Sequence, residues 1–459
     1  MNDEIRSALY DKYIKPTEKK KESYVGIEIE LPIVNLKKEA TSHNVAKEAF
    51  KSALDYFGFT PETFDDDGFC HSAIDKDSND IISFDCSYNN LELSFGKELN
   101  LLDVEARFKK YIAHLNHVLG KSNHIITGLG IQPFYDKCKK SYIPNGRYKM
   151  LEGYLRKAEE WKKEGGFHSY PGFGTYASSS QIQLDVKKDE LVDTVRVFSD
   201  LEPIKSLLFA NSLMLKDESD YLLTRDILWE YSTHGINPRN VGIFEIPPRS
   251  IDEFIDYISY TSIFCTEREG MYPFFYPIPI AEYFDRETID AEYFDGEDYS
   301  SVTITPQKSD LDYLRTYKFL DLTKRGTIEY RSLCTQPLKY SFAGAAFQLG
   351  LANKLGELEE IFDKDTVLYK HGFSANELRR SFNRDSMPDF IDKKELTGLI
   401  IDIIELSKEG LVERGYGEER LLEPLYNRAE TFDSPARHMR DSLLSGADII
   451  DIIHSYAEL

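Results

Sequence analysis

Glutamate, glutamine and arginine recur at two-residue spacing in four stretches of this chain. Residues 24–34 (YVGIEIELPIV) carry Glu28 and Glu30, and residues 89–95 (NNLELSF) carry Glu92. Residues 178–186 (SSSQIQLDV) carry Gln181, Gln183 and Asp185, and residues 327–333 (TIEYRSL) carry Glu329 and Arg331. Apolar residues fill the alternate positions, which is the period of a β-strand. Glu28 and Glu30 then share a face, their Cα atoms roughly 7 Å apart. If the four strands pair in one sheet, one face packs a core and the other gathers oxygen ligands. A solvated antiparallel face is also polar, but such faces usually carry lysine as well, and lysine is absent from all four stretches. Clustered carboxylates without lysine repel one another unless cations sit among them. Hard oxygen donors with few histidines suit Mg²⁺. A Mg²⁺ cluster beside an arginine is the equipment of phosphoryl transfer.

The elements around these strands follow from periodicity. Residues 44–57 suggest a helix, and residues 101–119 a clean amphipathic one with Leu101, Val104, Phe108, Ile112 and Leu115 on its stripe. Residues 61–90 are acidic and turn-rich. Residues 124–134 suggest a strand and turn, and 147–163 and 189–212 suggest helices. Residues 165–176 (GGFHSYPGFGTY) are a Gly-rich loop of the mobile kind that matches neither GxGxxG nor a Walker motif. Residues 270–310 are expected to be irregular, with hairpins. The stretches 341–362, 394–412 and 436–458 are helical in period. The expectation is therefore an α+β chain, with a catalytic domain over 1–340 and a helical C-terminal region over 341–459 packed on the same domain.

The chain has 459 residues, 41% hydrophobic and 29% charged, which suits a soluble globular protein. Its net charge of −23 disfavours nucleic-acid partners. A polyphosphate ligand must then be neutralised locally, by divalent cations or placed arginines. The five cysteines include no CxxC, so reduced cytosolic thiols are expected, without a zinc site or a disulfide framework. The N-terminal stretch has no apolar signal region, and no run approaches the length of a membrane span. The expected location is cytoplasmic.

Four phrases, VGIEIEL (25–31), NLELSF (90–95), SSSQIQLD (178–185) and TIEYRSLCTQP (327–337), resemble the glutamate–cysteine ligase family. LGIQPF (129–134), FANS (209–212) and SPARHM (434–439) support the likeness. The resemblance implies a glutamine-synthetase-like fold, a curved antiparallel sheet whose concave face holds two or three Mg²⁺, with Mn²⁺ as a substitute. It implies that ATP and glutamate form γ-glutamyl phosphate, which cysteine then attacks. By the same resemblance, Glu28 binds the metal shared with the ATP phosphates and Glu30 a neighbouring metal. Glu92 and Asp85 bind metal nearer the glutamate, and Gln181 stands where the bacterial branch often has a histidine ligand. Glu329 is a further ligand, and Arg331 contacts the transferring phosphoryl group. Arg225, in LLTRDILW, lies where the family carries an arginine for substrate or phosphate; beside Asp226 it could equally be an exposed helix pair. Arg147, in GRYKML, is a second basic candidate for ATP.

Other motifs carry less. Asp75, Asp77 and Asn79 begin like an EF-hand, but Asp80 and Cys86 occupy positions that need glycine and glutamate. Asp65–Gly68 reads as an acidic turn, and His114 and His117 as structural or exposed. A ligase of the same chemistry with another amine, and a scaffold that has lost catalysis, are the competing readings.

Overall fold

The computed structural model describes residues 3–19, 21–217, 219–365 and 367–459. Its strands in chain order are β1 (Val25–Asn35), β2 (Thr60–Phe64), β3 (Cys70–Ile74), β4 (Ile81–Phe84), β5 (Asn90–Glu98), β6 (His124–Ile126) and β7 (Ser179–Asp185). There follow β8 (Val241–Gly242), β9 (Ser262–Cys265), β10 (Phe274–Pro279), β11 (Ile289–Phe294) and β12 (Tyr299–Ile304). The last are β13 (Tyr317–Lys318), β14 (Leu320–Leu322) and β15 (Thr327–Cys334).

Nine of these form one sheet in the order β14-β15-β7-β1-β5-β4-β3-β2, with β6 paired to the far end of β1. All its pairings are antiparallel. The four alternating stretches are therefore consecutive neighbours, β15, β7, β1 and β5. Their apolar positions form one wall of the main core: Val25, Ile27, Ile29 and Leu31 of β1 are all buried, with Leu91 and Leu93 of β5 and Ile182 and Leu184 of β7. Helix Leu101–Gly120 lies against β5 and helix Leu191–Phe209 against β15. Asn100 starts the first of these by accepting from the amide of Leu102 at 2.9 Å, as a helix N-cap does.

A second antiparallel sheet, β12-β11-β10-β9, packs on helix Gly146–Arg156 and has hydrophobic clusters of its own. The C-terminal stretches are helical as expected. Helices Ala343–Ala352 and Lys393–Arg414 cross so closely that a Cβ added to Gly410 would lie 2.1 Å from the carbonyl oxygen of Gly350. Only glycine permits that backbone approach.

Three expectations need correction. Residues 61–90 are not turns alone but hold β2, β3 and β4. Their strands are only four or five residues long, and β2 is an exposed edge, so little alternation survives in the sequence. Residues 270–310 are more regular than expected and supply three strands of the second sheet. The second half of the Gly-rich loop is packed: Phe173 and Tyr176 are fully buried, and the Thr175 carbonyl accepts from Ser87 and Asn89.

Candidate active site

The polar face of the large sheet floors a cavity of about 790 Å³. Register places the acidic residues against one another. Glu30 stands directly opposite Glu92, Glu28 opposite Gln181, and Glu329 opposite Gln183. Like charges in directly opposed positions destabilise a sheet unless something neutralises them. The turn after β4 adds Asp85. Carboxylate oxygens of Glu30, Asp85 and Glu92 lie within 4.8 Å of one another, close enough to share one cation.

Each of these groups has a local holder. Glu30 accepts from the Ser179 amide at 2.7 Å, the Ser179 hydroxyl at 2.9 Å and Gln181 Nε2 at 3.1 Å. Glu92 accepts from Ser94 Oγ at 2.8 Å. Asp85 is 3.4 Å from the Tyr148 hydroxyl and 3.4 Å from Cys86 Sγ. Gln181 is buried, and its Oε1 has no partner among the described residues. An unpaired carbonyl oxygen beside three carboxylates is a fourth hard donor.

A second group sits one strand over. Gln183 Nε2 bridges Glu329 at 2.7 Å and Glu28 at 3.3 Å. Arg331 pairs with Glu329 through Nη1 and faces the cavity. Burial is the main cause that pushes Glu28 up to about 7, with the charge of Glu329 adding to it. Burial, then Asp85, pushes Glu30 to about 7. Asp85 and Glu92 also move upward, again chiefly through burial. These side chains are enclosed by protein yet open to the cavity, and their mutual repulsion is what a bound cation relieves.

The arginines divide. Arg147, second residue of helix Gly146–Arg156, lines the cavity; its side chain makes no hydrogen bond or ion pair with the described residues and lies over the ring of its neighbour Tyr148. Arg225 also lines the cavity, but the exposed-pair alternative fails: both Arg225 and Asp226 are buried. Asp226 pairs with Arg379 at 2.7 Å, and Arg225 donates to the backbone carbonyl of Arg331 at 2.6 Å.

Two lining groups were not singled out in the sequence. Asp321 lies opposite Glu329 in the β14–β15 pair, and burial pushes it up to about 6. Its only signal was the Leu320-Asp321-Leu322 alternation, three residues long. Arg315 lines the same cavity and had no periodic signal. The minor candidates are structural: Asp75 closes a turn by accepting from the Asp77 amide, Asp65 accepts from the Phe69 amide, and His114 bonds Ser52 and stacks on Tyr56.

No helix among the described residues is long and apolar enough to cross a membrane. Comparison with known proteins gives concordant results. The chloroplastic glutamate–cysteine ligase of Solanum lycopersicum is 22% identical over 320 residues, covering 68% of this chain and 56% of that protein. That of Nicotiana tabacum is 21% identical over 322 residues, with the same coverage. The match thus spans little more than half the length of these relatives. Among solved structures, a glutamate–cysteine ligase from Francisella tularensis in complex with AMP superposes with a TM-score of 0.52 at 12% identity, covering 96% of this chain and 89% of that one. The shared fold is the α+β, glutamine-synthetase-like one. The family model for glutamate-cysteine ligase family 2 matches residues 24–451, and the chain belongs to that family.

Proposed function

We propose that this protein is an ATP- and Mg²⁺-dependent carboxylate–amine ligase that joins L-glutamate to L-cysteine through γ-glutamyl phosphate. The observation that carries the reading is the convergence of Glu30, Asp85 and Glu92 within 4.8 Å on the face that also presents Glu28, Glu329 and Arg331. Family membership and the likeness to a ligase solved with AMP support the nucleotide half.

The donor set fits Mg²⁺: all hard oxygens, with an unpaired amide carbonyl among them. Glu30, Asp85, Glu92 and Gln181 would hold one ion, and Glu28 with Glu329 another beside the ATP phosphates. Mg²⁺ bound there supplies charge neutralisation for phosphate oxygens. Arg331, fixed by Glu329, aims its remaining N–H groups at the phosphoryl group in transfer, where charge builds on the equatorial oxygens. A γ-carboxylate oxygen of glutamate attacks the γ-phosphorus, and the bond to ADP breaks. The amine then attacks the acyl carbon, phosphate leaves, and a proton is lost as the amide forms. A carboxylate is a poor acylating agent, so phosphorylation supplies the leaving group. The protein contributes position and charge.

The test is phosphate release from ATP in the presence of Mg²⁺, glutamate and a panel of amines, with product mass determined. Glutamate-dependent release that peaks with cysteine and yields γ-glutamylcysteine is expected. A peak with another amine replaces cysteine in the proposal. A folded protein with no amine-dependent release overturns it.

A further inference from the structure

β15 does not keep an even pairing with β7. Tyr330 faces Ile182 and Leu333 faces Ser180, so Arg331 and Ser332 together oppose Gln181. One extra residue in one strand is a β-bulge. It changes the side on which later residues fall. Arg331 faces the cavity, whereas Leu333, two residues on, lies in the main core near Gly344.

A bulge leaves backbone groups outside the regular ladder; here the Arg331 amide donates to the Phe319 carbonyl at 2.9 Å, and side chains take the two carbonyls. Arg225 donates to the Arg331 carbonyl at 2.6 Å and to the Ser332 carbonyl at 3.3 Å. Arg379, on helix Ala375–Phe382, donates to the Ser332 carbonyl at 3.4 Å. Arg379 is 2% exposed. Its other donors meet Asp226 at 2.7 and 3.2 Å, and the carboxylate and carbonyl of Glu202 at 2.8 and 3.0 Å. All five N–H groups of the guanidinium are thereby used. Glu202 in turn accepts from the Ser332 hydroxyl at 3.1 Å and from Lys205 at 2.6 Å. Ser332 is thus gripped through both its carbonyl and its hydroxyl by one buried charged frame.

We infer that Arg379 is a positioning residue: through Ser332 and the Glu202–Asp226 frame it locks the bulge, and the bulge sets the direction in which Arg331 enters the cavity. Arg379 does not line that cavity. It acts through the neighbouring backbone, and its planar fork is what a lysine cannot replace. The kinetic half of this inference rests on the ligase reading; the structural half does not.

The experiment uses Arg379→Lys in the full chain, with Asp226→Asn as a second variant that keeps shape and removes one anchor. Hydrogen exchange of amides in 327–334 is followed without substrate. Exchange there at least about 10-fold faster than in the parent, with β1 unchanged, is expected. Unchanged exchange overturns the clamp. Phosphate release is then measured in the parent and in an Arg331→Ala background. Arg379→Lys should lower kcat about 10- to 100-fold with KM for ATP changed less than about twofold, and should add less than about twofold loss once Arg331 is gone. Equal losses in both backgrounds overturn the positioning role and leave a general structural one. A parent without amine-dependent release defeats the ligase reading, and exchange still decides the clamp. If Arg379→Lys does not fold, Asp226→Asn carries both measurements.

Discussion

Gln181 donates its amide N–H to Glu30 at 3.1 Å while its own carbonyl oxygen, buried on the cavity floor, has no partner among the described residues. One side chain thus fixes a neighbouring carboxylate and offers a ligand. Replacing it with leucine keeps the volume and removes both functions. Gln181→Leu is expected to fold and to bind Mn²⁺ about 10- to 100-fold more weakly, read by paramagnetic titration. Parent-like affinity would remove Gln181 from the ligand set.

Glu28 on β1 and Arg331 on β15 stand on the two strands that flank β7, and Glu329 shares β15 with Arg331. Glu28→Gln keeps shape and loses the charge a cation requires, so turnover should vanish with the far-ultraviolet spectrum unchanged. Arg331→Lys keeps the charge but not the fork, and a loss on the order of 10³-fold in kcat is expected. Near-normal rates in either variant refute the corresponding role.

Burial and repulsion give the metal-free protein a pH signature. Glu28 and Glu30 are raised from 4.5 to about 7 in the folded chain. Between those values the native state holds protons that the unfolded state releases. Stability therefore increases as pH falls from 7 toward 4.5, and the contribution is lost as pH rises through 7. In chelator, the melting temperature should be higher near about pH 5.5 than near about pH 8, by a few degrees, and saturating Mg²⁺ should flatten the difference. Glu92→Gln removes one repelling charge: it should raise the melting temperature in chelator at about pH 8 and cancel most of the gain from Mg²⁺. A Glu92→Gln protein that Mg²⁺ stabilises as strongly as the parent contradicts the shared site.

The helix crossing at Gly350 and Gly410 sets a stability prediction away from the site. Gly410→Ala forces a methyl to 2.1 Å from a carbonyl oxygen. A cost of about 1–3 kcal/mol is expected in denaturant unfolding, with activity per folded molecule unchanged. A cost below about 0.5 kcal/mol means the helices separate freely there.

The sequence made the floor legible and the walls obscure, for a physical reason. Strands such as β1 and β7 bury one face completely, so Val25, Ile27, Ile29, Ile182 and Leu184 write a strict two-residue rhythm. Glu28, Glu30 and Gln181 fall in its gaps. β2, β3 and β4 are short and lie toward an exposed edge, so turn residues dominate them. Asp321 sits on a three-residue strand and Arg315 on none, and neither has enough neighbours to show a period. The bulge at Ser332 was invisible because an extra residue reads as ordinary alternation until the partner strand is known. The competing environments of Arg225 were likewise settled only by Asp226 turning to Arg379, a partner 153 residues away.

Tyr272, which lines the cavity, packs against a second hydrophobic cluster, apart from the core beneath the floor. Met150, Tyr154, Phe264, Phe274 and Phe294 form a cluster that contains no residue of β1, β5, β7 or β15. The carboxylate floor and this part of the cavity lining therefore rest on separate packing units. Substitutions within the second can reshape the lining at Tyr272 without disturbing the carboxylates on the floor. On the proposed chemistry, this lining is the more evolvable part of the cavity, and the carboxylate floor the more constrained.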